Sequence, residues 1–246
     1  MKKIFALLLA LCMILALAAC GQKPEENKDD DPKSEGVMTY AEYIAAEKDS
    51  PVVIEAYVQA HQSWWADKIT VYAADKDGAY FIYNMTCSEE DAAKLVPGTK
   101  IKVTGTKTEW SGEIEIAEGA TFEILEGKTF VAEPADATAA WGNVDEMAKF
   151  MNQLVTFKGV TVEAYDEAGA AFAYKDPENQ SDDLYFKVSK DGTPYEFCVE
   201  FYLCGKDTDV YKAVEALQVG DVIDLEGFLY WYNGPNLQAT ALTAAK

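Results

Sequence analysis

GTKIKVTGTKTEWSG (Gly98–Gly112) and GDVIDLEGFLYWYNG (Gly220–Gly234) are the two stretches whose comparison decides the fold. In each, three glycines stand seven apart, and the second set lies 122 residues after the first. Between the glycines the side chains match in type: Ile101 and Val103 correspond to Ile223 and Leu225, and Trp110 to Tyr232. A short amphipathic stretch precedes each set, Ser88 to Val96 and Asp209 to Leu217. Further upstream each copy has an aromatic and β-branched run, an Asp-Gly hairpin signal (Asp77-Gly78, Asp191-Gly192) and another such run. Self-similarity at a fixed offset means two copies of one structural unit.

Each unit reads as strand, strand, hairpin, strand, helix, strand, strand. The pattern predicts strands near Val52 to His61, Lys68 to Ala74, Ala79 to Met85, Lys100 to Thr108 and Glu113 to Leu125 in the first copy. In the second it predicts strands near Val155 to Ala164, Ala170 to Lys175 continued by Leu184 to Ser189, Tyr195 to Leu203, Val222 to Tyr230 and Leu237 to Leu242. A five-stranded barrel with one helix between its third and fourth strands is the OB-fold. The fold class expected is therefore mainly β, two such barrels in tandem. Gly98 and Gly220 end the helices in left-handed turns, and Gly105 and Gly227 let a strand bend around a small barrel. Short amphipathic helices, Tyr40 to Ala46 and Val144 to Asn152, introduce the barrels. The expected domains are residues 37–126 and 143–246, joined by a linker over 127–142. Each is expected to fold alone.

The amino terminus has a different grammar. Lys2 and Lys3 precede an apolar run from Ile4 to Ala19, and Leu17-Ala18-Ala19-Cys20 is followed by Gly21. Residues 1–19 read as a secretory signal, since sixteen apolar residues fall short of the roughly 20 that span a bilayer. Residues 20–36 continue as GQKPEENKDDDPKSEG after the cysteine, too polar to bury a core, and read as a disordered tether. Extended, it reaches roughly 50 Å at ~3.3–3.6 Å per residue.

Composition suits a secreted globular protein, with 49% hydrophobic and 12% aromatic residues. The formal charge is −21, and loss of the signal with Lys2 and Lys3 makes it more negative by two. No arginine occurs anywhere in the chain. Arginine is the usual bidentate reader of phosphate and guanine, so nucleic acid is disfavoured as a partner by charge. Acidity also serves solubility through self-repulsion. Of five cysteines, Cys12 leaves with the signal and Cys20 takes the anchor, so Cys87, Cys198 and Cys204 remain, an odd number that forbids a complete disulfide framework. Cys198 and Cys204, placed on one strand, would lie roughly 20 Å apart and could not bridge. Free buried thiols are expected.

No metal site is expected, because no Cys-x-x-Cys spacing occurs and His61 is the only histidine. One histidine also removes the Ser-His-Asp arrangement, and no phosphate loop is present, so neither an enzyme nor a cofactor is expected. OB barrels bind on the second and third strands and the flanking loops. Those loops are aromatic here: Trp64 and Trp65 in the first copy's early loop, Trp110 in its late loop, and Trp231 and Tyr232 in the second copy's late loop. They are candidate stacking surfaces for a sugar or a base, or else packing between the domains.

Through the Cys20 pattern and the paired barrels together, the chain resembles the bacterial surface lipoproteins with tandem OB-fold domains, often described as nucleic-acid-binding. The resemblance implies that Cys20 becomes the first mature residue and carries a diacylglyceryl thioether and, in many species, an N-acyl chain. It implies a membrane-anchored protein exposed outside the cytoplasm. The function expected is extracellular binding of an oligosaccharide or a protein, with single-stranded nucleic acid as the alternative. Cys20→Ala is expected to block lipidation and leave uncleaved or released protein. Mass spectrometry of the mature amino terminus tests this, and unchanged membrane retention without lipid mass would overturn it.

Overall fold

The computed structural model describes residues 32–178, 180 and 182–245. The expected signal, Cys20 and the tether as far as residue 31 lie outside the described residues. From Ser34 onward the chain is one compact unit, and the Ser34 amide already donates to both carboxylate oxygens of Glu55 at 3.3 Å.

The first barrel begins with helix α1 (Tyr40–Ala45), started by a capping box in which Thr39 and Glu42 satisfy each other's backbone amides. Strands β1 (Pro51–His61), β2 (Lys68–Ala74) and β3 (Ala79–Thr86) follow as a meander. A one-turn helix α2 (Glu89–Ala92), capped by Ser88, leads to β4 (Lys100–Trp110) and β5 (Glu113–Ile116). The strands pair in the order β1-β2-β3-β5-β4, and β4 returns to pair with β1, which closes the barrel. The β3–β5 pairing is parallel and the others are antiparallel. After a break at Ala117–Ala120 the last strand resumes as β6 (Thr121–Ile124) along β4. Ile54, Ile69, Ile82, Leu95, Ile101 and Val103 fill the interior.

The second barrel repeats this plan with β8 (Leu154–Glu163), β10 (Leu184–Lys190), β11 (Thr193–Val199), helix α4 (Asp209–Glu215), β12 (Val222–Trp231) and β13 (Pro235–Ala244). Here β8 pairs with β10 and β12, β10 with β11, β11 in parallel with β13, and β13 with β12. The result is again a closed ring of five. β10 shows why: Leu184, Phe186 and Val188 point inward, and the residues between them stay half-exposed. The remaining elements are β7 (Ala135–Asp136), a 3-10 turn at Thr138–Ala140, helix α3 (Val144–Ala148) and β9 (Phe172–Tyr174).

The glycine pattern has a physical cause in both copies. Gly98 and Gly220 take left-handed backbone angles, φ +89° and +94°, and each donates its N–H back to the first strand, to Val58 and Val162. Gly105 and Gly227 answer to space. A Cβ on Gly105 would lie 2.5 Å from Ile116 Cγ2, and one on Gly227 would lie 2.3 Å from the Gln238 carbonyl oxygen, where the β12–β13 register shifts at a bulge.

Several expectations change. The segment Ala170 to Lys175 is no forerunner of β10: it turns back, and β9 runs antiparallel beside it, Tyr174 opposite Leu184. The third strand ends at Val199 rather than Leu203, so the distance argument about Cys198 and Cys204 fails; Cys87, Cys198 and Cys204 are free and buried all the same. In the stretch expected as linker, β7 pairs in parallel with β8, and Trp141 packs edge-on against Phe157, Tyr195 and Phe197 of the second barrel.

Gly227→Ala is expected to cost about 1–3 kcal/mol through forced overpacking, because the obstructing atoms are backbone. Equilibrium unfolding in denaturant measures it, and a neutral result would show that the bulge can absorb a methyl group.

Candidate functional site

The outer face of β2 and β3, where OB barrels usually bind, is closed in the first barrel. Tyr72 stacks on Phe228 of the second barrel, with ring centroids 4.2 Å apart and planes 11° apart, and Phe81 meets Tyr230 edge-on at 5.2 Å. The Tyr72 hydroxyl donates to Gln238 Oε1 at 2.8 Å. Tyr72, Phe81 and Phe228 form a third buried cluster, distinct from the two barrel cores. The interface also buries acid. Glu113 is fully buried and its Oε2 accepts the Trp231 backbone N–H at 2.8 Å. Burial pushes the Glu113 carboxyl up to about 8 and Glu115 up to about 7, against the downward pull of Asn152 and the Trp231 amide on Glu113.

The late loops of both barrels are brought to one place. Ser111 and Gly112 occupy left-handed backbone angles, as do Asn233 and Gly234, which is the chemistry of tight hairpin turns. The Asn233 N–H donates to the Ser111 carbonyl at 2.7 Å and ties the tips together. Across this seam Trp110 and Tyr232 lie 5.2 Å apart with planes inclined at 32°, and they are 52% and 51% exposed. Their neighbour Trp231 goes the other way. It is buried against Gly112, where an added Cβ would sit 2.7 Å from the indole ring.

The early loop divides similarly. Trp64 is half-buried on the first core, and its Nε1 donates to the Cys87 carbonyl at 2.8 Å. Trp65 is 55% exposed at the base of a two-residue turn whose Ala66 and Asp67 both take positive φ. Lys68 stands 5.9 Å from the Trp65 ring and pairs with Glu118. The Ser63 N–H donates to Tyr202 of the second barrel at 2.7 Å, which sets this loop beside the exposed Tyr202. The His61 ring Nδ1 lies 2.8 Å from the Gln62 carbonyl.

Thus, of the five aromatic residues singled out by sequence, Trp65, Trp110 and Tyr232 offer faces to solvent. Trp231 is buried and Trp64 half-buried, so these two present less ring surface to solvent than the other three. Sequence reasoning passed over Tyr72, Phe81, Phe228 and Glu113. The first three read as ordinary strand residues, and nothing local marks which outer face another barrel will cover.

The second barrel's face of β10 and β11 carries its own partners. Lys187 donates to the Tyr165 carbonyl at 2.9 Å and lies 4.8 Å from that ring's centroid, and Tyr185 donates to Asp183 at 3.3 Å. Nearby, burial and then Asp183 raise Glu200 to about 7. Among the described residues no group of three or more His, Cys, Asp or Glu side chains is arranged to hold a metal.

No protein-family model matches the chain, and neither does any curated protein. Solved structures resemble it at low identity. The Ifi202 HINa domain in complex with 20-bp dsDNA is 12% identical over 81% of this chain and 97% of that one, with a TM-score of 0.36. A murine DNA-binding protein bound with dsDNA is 12% identical over 80% and 96%, also at 0.36. A deletion mutant of the single-stranded DNA-binding protein from Thermus aquaticus is 11% identical over 80% and 94%, at 0.28. The OB assignment rests on this chain's own closed strand pairing.

Replacing the exposed Trp65, Trp110 or Tyr232 by Ala is expected to change stability by no more than about 1 kcal/mol. Trp231→Ala is expected to cost about 3–5 kcal/mol. Thermal melts of the four variants check this ordering, and a large loss at Trp110 or Tyr232 would make that pair an interface element.

Proposed function

We propose that the chain is a non-catalytic binding module whose ligand lays a flat ring on the Trp110–Tyr232 platform, held outside the cytoplasm by lipidated Cys20. The observation that carries this reading is the joining of two late loops from different barrels into one half-exposed aromatic pair. Half-exposed rings in water-facing turns leave flat faces free, and such faces suit sugars and bases alike. With barrel 2 closing the β2–β3 face of barrel 1, the loop ends are the surface left for that barrel to use.

Charge supports the first of the two ligand classes. Lysines near the candidate loops are already engaged: Lys68 with Glu118, and Lys107 with the carbonyls of Ile44 and Ala46. A phosphate backbone approaching a chain of net charge −21 with no arginine would find little counter-charge. An uncharged oligosaccharide, or a protein loop presenting a ring, avoids that repulsion. Single-stranded nucleic acid is the second reading, favoured by the same stacking geometry, since every base has a π-face. DNA is also what the solved structures named above hold or are named for binding.

Glycan and oligonucleotide arrays probed with the full chain separate these classes. Binding to a neutral glycan is expected to hold from 50 to 200 mM salt and to fall by about 1–3 kcal/mol in Trp110→Ala or Tyr232→Ala. Binding to oligonucleotides that weakens steeply with salt would establish the second reading. A ligand unaffected by either substitution would remove the platform from the site.

A further inference from the structure

Independently of the loop platform, the first barrel leaves one edge of β6 without a neighbouring strand. The Leu125 N–H donates to the Lys100 carbonyl at 2.9 Å, and the register from Ile101↔Ile124 to Thr104↔Thr121 is unbroken. Bonded pairs alternate along an antiparallel ladder, so Glu123 and Thr121 join Leu125 in bonding to β4. Phe122 and Ile124 therefore turn their N–H and C=O groups the other way, toward the end of β3. There the Thr86 N–H reaches the Ala120 carbonyl at 2.9 Å, after which the chain leaves the sheet for α2. Among the described residues, no hydrogen bond is seen at the Phe122 or Ile124 backbone.

This edge opens onto a groove of about 540 Å³. Thr86, Ser88 and Asp91 stand on one wall, and Phe122 and Ile124 on the other. Comparison with the second barrel gives the cause. There the corresponding helix, α4, has seven residues, buries Val210, Tyr211 and Val214, and lies against β13. Helix α2 has four residues, of which Ala92 is the buried one. The shorter helix leaves the edge of β6 uncovered.

We infer that this groove binds an extended peptide of alternating basic and apolar residues as an added strand, antiparallel to β6. A donor and an acceptor repeated at every second residue are what another extended backbone supplies. In the antiparallel sense Phe122 and Ile124 each exchange both bonds with one peptide residue. Directly opposed side chains share a face. Peptide residues opposite Phe122 and Ile124 therefore lie on the face where Phe122 packs against the first core and Ile124 is 39% exposed, which suits apolar side chains. The residue between them lies on the outer face, beside the exposed Glu123.

Charge makes the partner basic. Glu89, Glu90 and Asp91 stand in α2 on one side of the groove and Glu123 in β6 on the other. Lys94, on the groove wall, is already engaged by Glu90 and Asp91. An acidic strand would meet like charges here, and so would the same edge of a second copy of this chain, whose Glu123 would approach its own counterpart. Proteins commonly shorten and charge a free edge to prevent such self-pairing. β6, four residues long with Glu123 near its centre, is guarded against its own kind and open to a strand that carries lysine.

Titration of the nitrogen-15-labelled full chain with the peptide acetyl-Lys-Val-Lys-Val-Lys-amide, followed by amide chemical shifts, tests the site. Saturable binding is expected, with the largest shifts at Phe122 and Ile124. The same peptide N-methylated at both valines keeps its charge but loses its two donors to β6, and is expected to bind about tenfold more weakly. N-methylation of the central lysine alone, whose N–H points away from β6, is expected to leave binding unchanged. The analogue with glutamate in place of lysine is expected not to bind. Ile124→Pro removes one edge N–H that makes no bond to β4, a position where an edge strand tolerates proline, and is expected to weaken binding about fivefold. Ile124→Ala, which keeps that donor, is expected to weaken it by less; the methylated peptides carry the test if the proline variant fails to fold. Equal binding of the valine-methylated peptide would mean charge attraction alone and would overturn the inference. So would equal binding of the glutamate analogue, shifts centred away from β6, or the absence of saturable binding.

Discussion

The stack of Tyr72 on Phe228 is the contact on which the arrangement of this molecule depends. Each barrel has a complete core of its own, so closure of the strands needs nothing from the other copy. What the stack adds is position. It fixes the β2–β3 face of the first barrel beneath β12 of the second, with the Tyr72–Gln238 and Trp231–Glu113 hydrogen bonds setting the register on either side. Two flat apolar rings in offset contact bury much area at small entropic cost, whereas the flanking polar bonds supply direction.

Everything that makes the surface distinctive follows from that position. Two copies of one unit end with different roles: the first has its strand face covered, and the second keeps a polar face with internal ion and ring contacts. Late loops that would be far apart on separate barrels meet, and Trp110 of one lies beside Tyr232 of the other. The same docking buries Glu113, and that burial pushes its carboxyl up to about 8. Docking of this kind is strongest with that proton in place: the raised carboxyl contributes fully below its ordinary range near 4.5, and the contribution is lost as pH rises toward 8.

Particular residues show how far sequence reasoning reaches. Gly98 and Gly220 were legible because a left-handed helix end leaves a local mark, and Asp191-Gly192 because a tight hairpin does so too. The alternation in Leu184–Lys190 announced a strand with one buried face. The end of β11 at Val199 was not legible, since Tyr-Leu-Cys after it is as apolar as the strand itself. Nor was the antiparallel course of β9, because strand direction depends on where the chain returns, not on side-chain type. Among the aromatic residues of the loops, Trp231 and Tyr232 are adjacent and alike in character, yet one is buried and the other half-exposed. A strand's two-residue period sends neighbours to opposite faces, and only the partner's presence makes one face interior.

The sequence by itself determined the element order, the two closed barrels, the acidic surface and the candidate aromatic loops. Those properties depend on local backbone chemistry, hydrophobic period and charge, all of which are additive along the chain. Tertiary structure alone decided which barrel face is covered, which tryptophans stay in water, and where Glu113 is buried. Those outcomes depend on contacts between residues more than a hundred positions apart, such as Tyr72 with Gln238 and Glu113 with Trp231. No local pattern encodes such a meeting, because its free energy comes from shape and polarity matched between two surfaces that form only after each barrel has closed.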